Sequence, residues 1–294
     1  MNGPPPLPRH RNPGDAWVEA PDGTRYWGRF GAAGLLAHDP ARGVLLQHRA
    51  DWSHHGGTWG IPGGARHVGE DALTGALRES AEEAGVPADA VAPVATHVLD
   101  REVWTYTTVV ARVVRPFDPF AADAESVELR WVPLAEVEDR TLHPGFASSW
   151  PGLRDALAHA PALVIDAANV VGSVPDGWWR DRAGAARRLA GRVSALAEAG
   201  VTGDALGLPL TRWFPGVSVV VEGRARGIGS VPGVDVIDAP GHGDDAVVAE
   251  ARRRAEAGEQ VTAVTSDRGL RERLHEAGAR TMSAGRFRDL LPEQ

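Results

Sequence analysis

The residues with the plainest chemical capacity are Glu79, Glu82 and Glu83, spaced i, i+3 and i+4. On a helix that spacing gathers three carboxylates on one face, where like charges repel by about a few tenths of a kcal/mol per pair. A solvated acidic helix gains nothing from the arrangement, whereas a divalent cation would offset the repulsion. Hard carboxylate oxygens suit Mg²⁺, with Mn²⁺ as an alternative. Such an ion can make a bound water nucleophilic near neutral pH and neutralise negative charge on neighbouring oxygens.

The element that must carry these acids runs from Gly64 to Val86. A Pro62-Gly63-Gly64 turn opens it, a loop leads to Glu70, and a helix then continues until Gly85 supplies a stop. Leu73, Leu77, Ala81 and Ala84 recur at spacings of four and three, which predicts a narrow apolar stripe. The stretch resembles the Nudix box, G-x5-E-x7-R-E-U-x-E-E-x-G-U with U a bulky aliphatic residue. Gly64, Glu70, Arg78, Glu79, Glu82, Glu83, Gly85 and Val86 all stand in register. Ser80 departs at the first U, which predicts slightly looser helix packing and leaves the charged positions intact.

The resemblance implies that Glu82 and Glu83 are metal ligands and that Glu79 is a ligand or general base. It further implies that Arg78 orients the carboxylates, that Gly64 offers a backbone carbonyl to the metal, and that Glu70 supports the structure. Family members often recruit one more acid from outside the box. Glu125 and Glu128 in ESVELRW are the candidates here, Glu125 being preferred, and a solvated turn is the competing reading. Trp59, His54 and His55 precede the box, and Tyr106 lies on a later apolar run. Their rings could line a nucleobase pocket or could simply be packed. The layout is closest to the MutT-like branch, which implies a nucleoside diphosphate-linked substrate, a nucleoside triphosphate first, oxidised guanine nucleotides included, while the residues leave a dinucleotide or a nucleotide sugar open.

Around the box the chain predicts a compact α/β sandwich. Residues 1–15 are rich in proline and read as a disordered arm. A hairpin about Pro21-Asp22-Gly23, two apolar runs joined across Pro40 to Gly43, and a Gly- and His-rich loop precede the box. Three further strand patterns and a helix from about Phe146 to His159 follow it. The expected fold is a Nudix α/β/α sandwich over residues 16–158.

From residue 160 the pattern becomes an alternation of apolar strands and helices, which predicts a parallel sheet with helices on both faces. Four motifs fall at strand ends or helix starts: Asp166 to Asn169, Glu222, Asp244 with Asp245, and Thr265-Ser266-Asp267. Each alone is an ordinary turn or cap, with Asp244 well placed as an N-cap, but sites in such sheets lie at the carboxyl ends of the strands. Residues 160–294 resemble the NYN branch of the PIN-like ribonucleases, a parallel-sheet α/β domain. That resemblance implies metal ligation by Asp166, Asp244 or Asp245, and Asp267, contact of Asn169 with metal or phosphate, and RNA as a partner. Arg180, Arg182, Arg187, Arg188, Arg224 and Arg226 would then face phosphates, unless they form a solvated face.

Composition narrows these readings. All 31 basic residues are arginine, against 39 acids. Residues 1–150 hold 13 arginines and 20 acids, net -7, and the remainder hold 18 and 19, net -1, so neither half is basic overall. The absence of cysteine excludes disulfides, thiol catalysis and Cys-based metal sites. No run of eighteen apolar residues occurs, which leads to the expectation of a cytoplasmic protein without a membrane partner. Three functions are compatible: a hydrolase fused to a nuclease, a nucleotide sensor that regulates the second half, and a hydrolase with an inactive RNA-binding or dimerising second half.

Overall fold

The computed structural model describes residues 12–122, 124–175 and 177–292. The predicted arm lies outside these up to residue 11, while Asn12–Asp15 form a closed turn in which the Asp15 carboxylate accepts from the Asn12 amide and Asn12 Oδ1 accepts from the Gly14 amide. The chain divides into two compact units, one running to Ala158 and including Pro209–Thr211, the other comprising His159–Leu208 and Arg212 onward.

In the first unit, β1 (Trp17–Glu19) and β2 (Arg25–Trp27) form an antiparallel hairpin. The main sheet contains β3 (Ala32–Asp39), β4 (Gly43–Arg49), β5 (Trp59–Gly60), β6 (Gly63–Ala65), β7 (Val91–Asp100), β8 (Thr105–Val113) and β9 (Ser126–Val132). Its order is β7-β8-β3-β4-β5, with β6 also paired to β3 and β9 to β4. β3 and β8 are parallel and the other pairs antiparallel. Helix α1 (Ala72–Ala84) lies between β6 and β7, and α2 (Pro144–Ala156) closes the unit. Every residue of β3 from Ala32 to Ala37 is buried, so both faces of this central strand are covered.

Helix α1 begins where the Asp71 carboxylate accepts from the Thr74 amide at 2.9 Å, and ends at Gly85 with φ of 63°, a left-handed turn that glycine adopts without strain. Its buried face differs from the predicted stripe. Leu73 and Leu77 are half-buried and pack on a core that includes Leu35, Leu45 and Val109, but Ala81 is exposed, and Ala76, Ser80, Glu83 and Ala84 are the deeply buried positions. Ser80 tolerates this because its hydroxyl donates back to the Leu77 carbonyl at 3.0 Å. Helix α2 starts two residues before the predicted position because Pro144 fits the first helical turn and His143 caps it.

The second unit carries β10 (Pro161–Asp166), α3 (Ala167–Gly172), α4 (Arg182–Ala199), β11 (Val201–Thr202), α5 (Gly203–Leu206) and β12 (Arg212–Trp213). There follow β13 (Gly216–Val221), β14 (Asp235–Asp238), α6 (Gly243–Glu256), β15 (Gln260–Val264), α7 (Arg268–Glu276), β16 (Arg280–Met282) and α8 (Ala284–Leu290). Five strands form a wholly parallel sheet of order β14-β13-β10-β15-β16. Val164, Val220 and Ala263 pack with Val247, Ala251, Leu270 and Leu274 of α6 and α7. The alternate residues Leu163, Ile165 and Val219 point the other way and are also buried, so helices or loops cover both faces. β16 was not foreseen, since three residues beginning on an exposed arginine carry too little alternation to read as a strand. Asp244 is not the N-cap of α6: Gly243 is the first helical residue, His242 holds the cap position, and Asp244 lies in the first turn.

Candidate active site

Arg78 organises the acidic face of α1. Its Nε and one Nη bond the two oxygens of Glu70, each at 2.9 Å, in a bidentate pair. The same outer nitrogen reaches the Ala65 carbonyl at 3.0 Å, and the other bonds Glu79 at 2.7 Å and Glu82 at 3.2 Å. The Arg78 hydrogen bonds, helped by the His67 amide, hold the Glu70 carboxyl far below the usual range, at about 2. The carboxylates raise the Arg78 pKa above its ordinary value. One guanidinium thus ties the loop carboxylate to two of the three helix acids.

Glu79 lies against β6, where the expected Pro62-Gly63-Gly64 turn gives way to a short strand because Gly63 and Gly64 pair with Gly34 and Ala33 of β3. A Cβ placed on Gly64 would stand 2.7 Å from the Glu79 carboxylate, so only glycine lets the backbone and the acid approach this closely. Burial raises the Glu79 pKa, against the pull of Arg78. Glu83 is 6% exposed and accepts from the Gly63 amide at 2.9 Å and from Gln47 Nε2 at 3.3 Å. Gln47 also donates to Ser126 Oγ at 2.8 Å, and its Oε1 finds no partner among the described residues. Glu82 is the most exposed of the three acids. Carboxylates of graded burial, beside a backbone cradle that a side chain would fill, fit a hard divalent cation such as Mg²⁺. Gln47 and Ser126 escaped sequence reading because a glutamine and a serine on strands carry no spacing signal.

The residues predicted outside the box separate. Tyr106 is placed near the site, its hydroxyl 3.0 Å from where a Cβ on Gly63 would stand, and burial together with the Glu83 and Glu79 charges raises its pKa. Trp59 is not an open stacking face: it is 8% exposed, its ring stacked on His48 at 4.8 Å with the Arg140 guanidinium 4.5 Å from its centroid. His54 and His55 are exposed, edge to face with each other at 4.1 Å. Glu125 is exposed next to the buried Ser126, and its carbonyl accepts from the Ala50 amide at 2.8 Å. Glu128 is bonded to Arg130 at 2.8 Å.

In the second unit the acids divide. Asp166 is buried at the carboxyl end of β10, one oxygen accepting from the Asn169 amide and the other from Thr265 Oγ1, both at 3.1 Å. Asn169 in turn accepts from the Ser266 amide at 2.8 Å, and Glu222 accepts from Gly243 at 2.8 Å. Burial pushes the Asp166 carboxyl up, and the charges of Asp244 and Glu222 add to it, so these three acids share one field. Asp245 does not join them but bonds Arg273 at 2.5 Å, and Asp267 caps α7 through the Leu270 amide at 2.7 Å. Among the described residues, no three carboxylates in either unit bring oxygens within 4.8 Å of one another. Arg180, Arg182, Arg187, Arg188, Arg224 and Arg226 are all exposed, and Arg182 lies over the Trp178 ring at 5.3 Å.

Comparison with known proteins places the first unit. A family model described as the NUDIX domain matches residues 28–153. A Mycobacterium tuberculosis protein named "Putative 8-oxo-dGTP diphosphatase 3" is 52% identical over 166 residues, which cover 53% of this chain and 76% of that protein. A "Nucleoside triphosphate pyrophosphatase/Nudix hydrolase fusion protein" of Bifidobacterium longum is 43% identical over 155 residues, 50% of this chain and 32% of its relative. Among solved structures, that of RenU, a Nudix hydrolase from M. smegmatis, aligns at 47% identity with a TM-score of 0.45, covering 49% of this chain and 96% of that one. No helix among the described residues is long and apolar enough to cross a membrane.

Proposed function

The chain belongs to the Nudix hydrolase family, which acts on phosphoanhydride bonds, and from that premise we propose that its first unit cleaves a nucleoside triphosphate, an oxidised guanine nucleotide foremost. The name of the M. tuberculosis relative supports this choice of substrate. The observation that carries the reading is the Glu79 carboxylate seated on the Gly64 backbone while Arg78 grips Glu79 and Glu82 together. Glu79, Glu82, Glu83 and the Gly64 carbonyl would hold Mg²⁺, or Mn²⁺ in its place. A bound divalent ion neutralises phosphate oxygens and lowers the pKa of water.

The chain's own groups do the rest. Arg78 fixes the directions of Glu79 and Glu82, and the Gly63 amide with Gln47 fixes that of Glu83. If Glu79 acts as the general base in place of ligating, its burial, which raises its pKa, suits it to accept a proton from the attacking water. Glu125 would supply the outer acid. Glu82→Gln or Glu83→Gln should lower release of pyrophosphate or monophosphate by roughly 10²-fold or more while leaving the circular dichroism spectrum unchanged. Full turnover by either variant with Mg²⁺ present would remove the reading. Recovery of the nucleotide uncleaved after long incubation with wild type would instead favour a sensor that regulates the second unit.

For the second unit we propose a PIN-like nuclease acting on RNA, within a cytoplasmic protein. In chain order its parallel strands run 3-2-1-4-5, and Asp166 and Thr265 stand at the carboxyl ends of the two strands where that order reverses. Asp166, Asp244 and Asp267 are the metal-ligand candidates and Asn169 the phosphate contact. Labelled single-stranded RNA should be cut by wild type and not by Asp166→Asn. Equal cleavage by both would assign the activity to a contaminant, and no cleavage by either would leave an RNA-binding or dimerising domain.

A further inference from the structure

Three imidazoles from two separate segments meet on the first unit, and none belongs to the acidic site. His54 and His55 sit in the loop between β4 and β5, where Ser53, Gly56 and Gly57 amides bond back to Ala50, Ser53 and Arg49 at 2.9 Å each. His55 is held at φ of 55°, a left-handed conformation uncommon for residues other than glycine and one that a loop retains only when its surroundings impose it. His143 approaches from the start of α2, its amide bonded to the Trp59 carbonyl at 2.7 Å, with Trp59 bonded in turn to Thr141 at 2.8 Å. The His55 ring lies 4.1 Å from that of His54 and 4.7 Å from that of His143, centroid to centroid. One ring nitrogen from each lies within 4.8 Å of the other two.

We propose that His54, His55 and His143 form a second metal site, a three-imidazole cup for one borderline transition-metal ion of the Zn²⁺, Co²⁺ or Ni²⁺ type. The donor chemistry separates it from the carboxylate site, because neutral imidazole suits these ions and Mg²⁺ prefers hard oxygen. Three protein ligands leave a fourth position, and the exposure of His54 and His55 opens that position to water or an anion. Arg49 shapes what fills it. Its Nε donates to the His54 carbonyl at 3.2 Å and its charge bears on His54 and His143, so an anion on the ion balances the local excess of positive charge. Neutral imidazole is the form that ligates, and the close approach of the three rings favours neutral over charged imidazoles.

Coordination has a structural cost at His143. Its Nδ1 accepts from the Gly145 amide at 3.1 Å, and a ring that ligates through Nε2 carries its proton on Nδ1. Either ring nitrogen therefore binds metal only by giving up that cap. Asn is a good N-cap without an imidazole, so His143→Asn keeps a cap while removing the ligand.

The test uses the full chain without a histidine tag, titrated with Co²⁺ and Zn²⁺ in a large excess of Mg²⁺. We expect one equivalent of Co²⁺ to give the intense visible absorption of a tetrahedral site and calorimetry to show one Zn²⁺ bound. Binding should persist in Glu82→Gln and Glu83→Gln, and weaken at least roughly tenfold in His54→Ala, His55→Ala and His143→Asn. His54 and His55 are exposed, so loss in those two variants does not depend on how His143→Asn folds. Absence of binding under excess Mg²⁺, or binding lost in the glutamate variants and unchanged in the histidine variants, would overturn the proposal.

Discussion

Glu70 illustrates how a single side chain stabilises the loop before α1 through its pair with Arg78. Its folded pKa of about 2 lies below the ordinary value of 4.5, so its contribution is complete above pH 4.5 and is lost as pH falls from there toward 2. With the side chain only 9% exposed, the contribution is on the order of 3 kcal/mol. Wild type should therefore lose stability more steeply below pH 4.5 than Glu70→Gln, as measured by urea unfolding across that range. The motif made Glu70 and Arg78 visible in the sequence, since both stand at fixed positions of the box. Gln47 was invisible, because its value depends on β4 passing beneath Glu83, a contact between residues 36 positions apart.

Between elements, the distance from β6 to α1 is set by what Gly64 lacks. Gly64→Ala places a methyl against the Glu79 carboxylate and pushes helix or strand aside, and a displacement near 1 Å at a reacting centre costs roughly 10²-fold. The expected result is that loss in kcat with a modest change in melting temperature. Asp71→Ala should do the opposite, removing the α1 cap at a cost of about 1 kcal/mol while kcat is kept. A variant pair that failed to separate in this way would mean that the strand and the helix move together. The helix itself was legible in its apolar spacing and in the stop at Gly85, whereas the cap at Asp71 came only from the structure. Its buried face was not, because counting apolar residues favours Ala81 over Ser80, and only packing against the sheet shows that the serine points inward with its hydroxyl satisfied. For Trp59 the sequence left stacking and packing both open, because the residue that covers its ring, Arg140, lies 81 positions later.

For the molecule as a whole, each unit has its own apolar core, so two unfolding transitions are expected. A ligand that binds one folded unit stabilises only that unit, by about 2.7 kcal/mol at a hundredfold excess over Kd. In calorimetry Mg²⁺ should raise the transition of the first unit, and Glu82→Gln should abolish that rise while leaving the response of the other transition unchanged. If Glu82→Gln shifted both transitions equally, the units would unfold as one. The strand and helix alternation of the second unit was legible because buried parallel strands read as continuous valine-rich runs. The division of its acids was not, since Asp244 and Asp245 are adjacent in sequence yet face Asp166 and Arg273 respectively.

The interior of that second unit also shows what an all-arginine chain makes available. Arg254, 4% exposed, bonds Ser218 and Glu250 through Nε, Glu259 through one outer nitrogen and Asp235 through the other, at 2.7–2.9 Å. A rigid planar fork joins an inner strand, an edge strand, a helix and the turn after it in one stroke. Lysine would bring the same charge to that crossroads on a single point, and could not face all four directions at once.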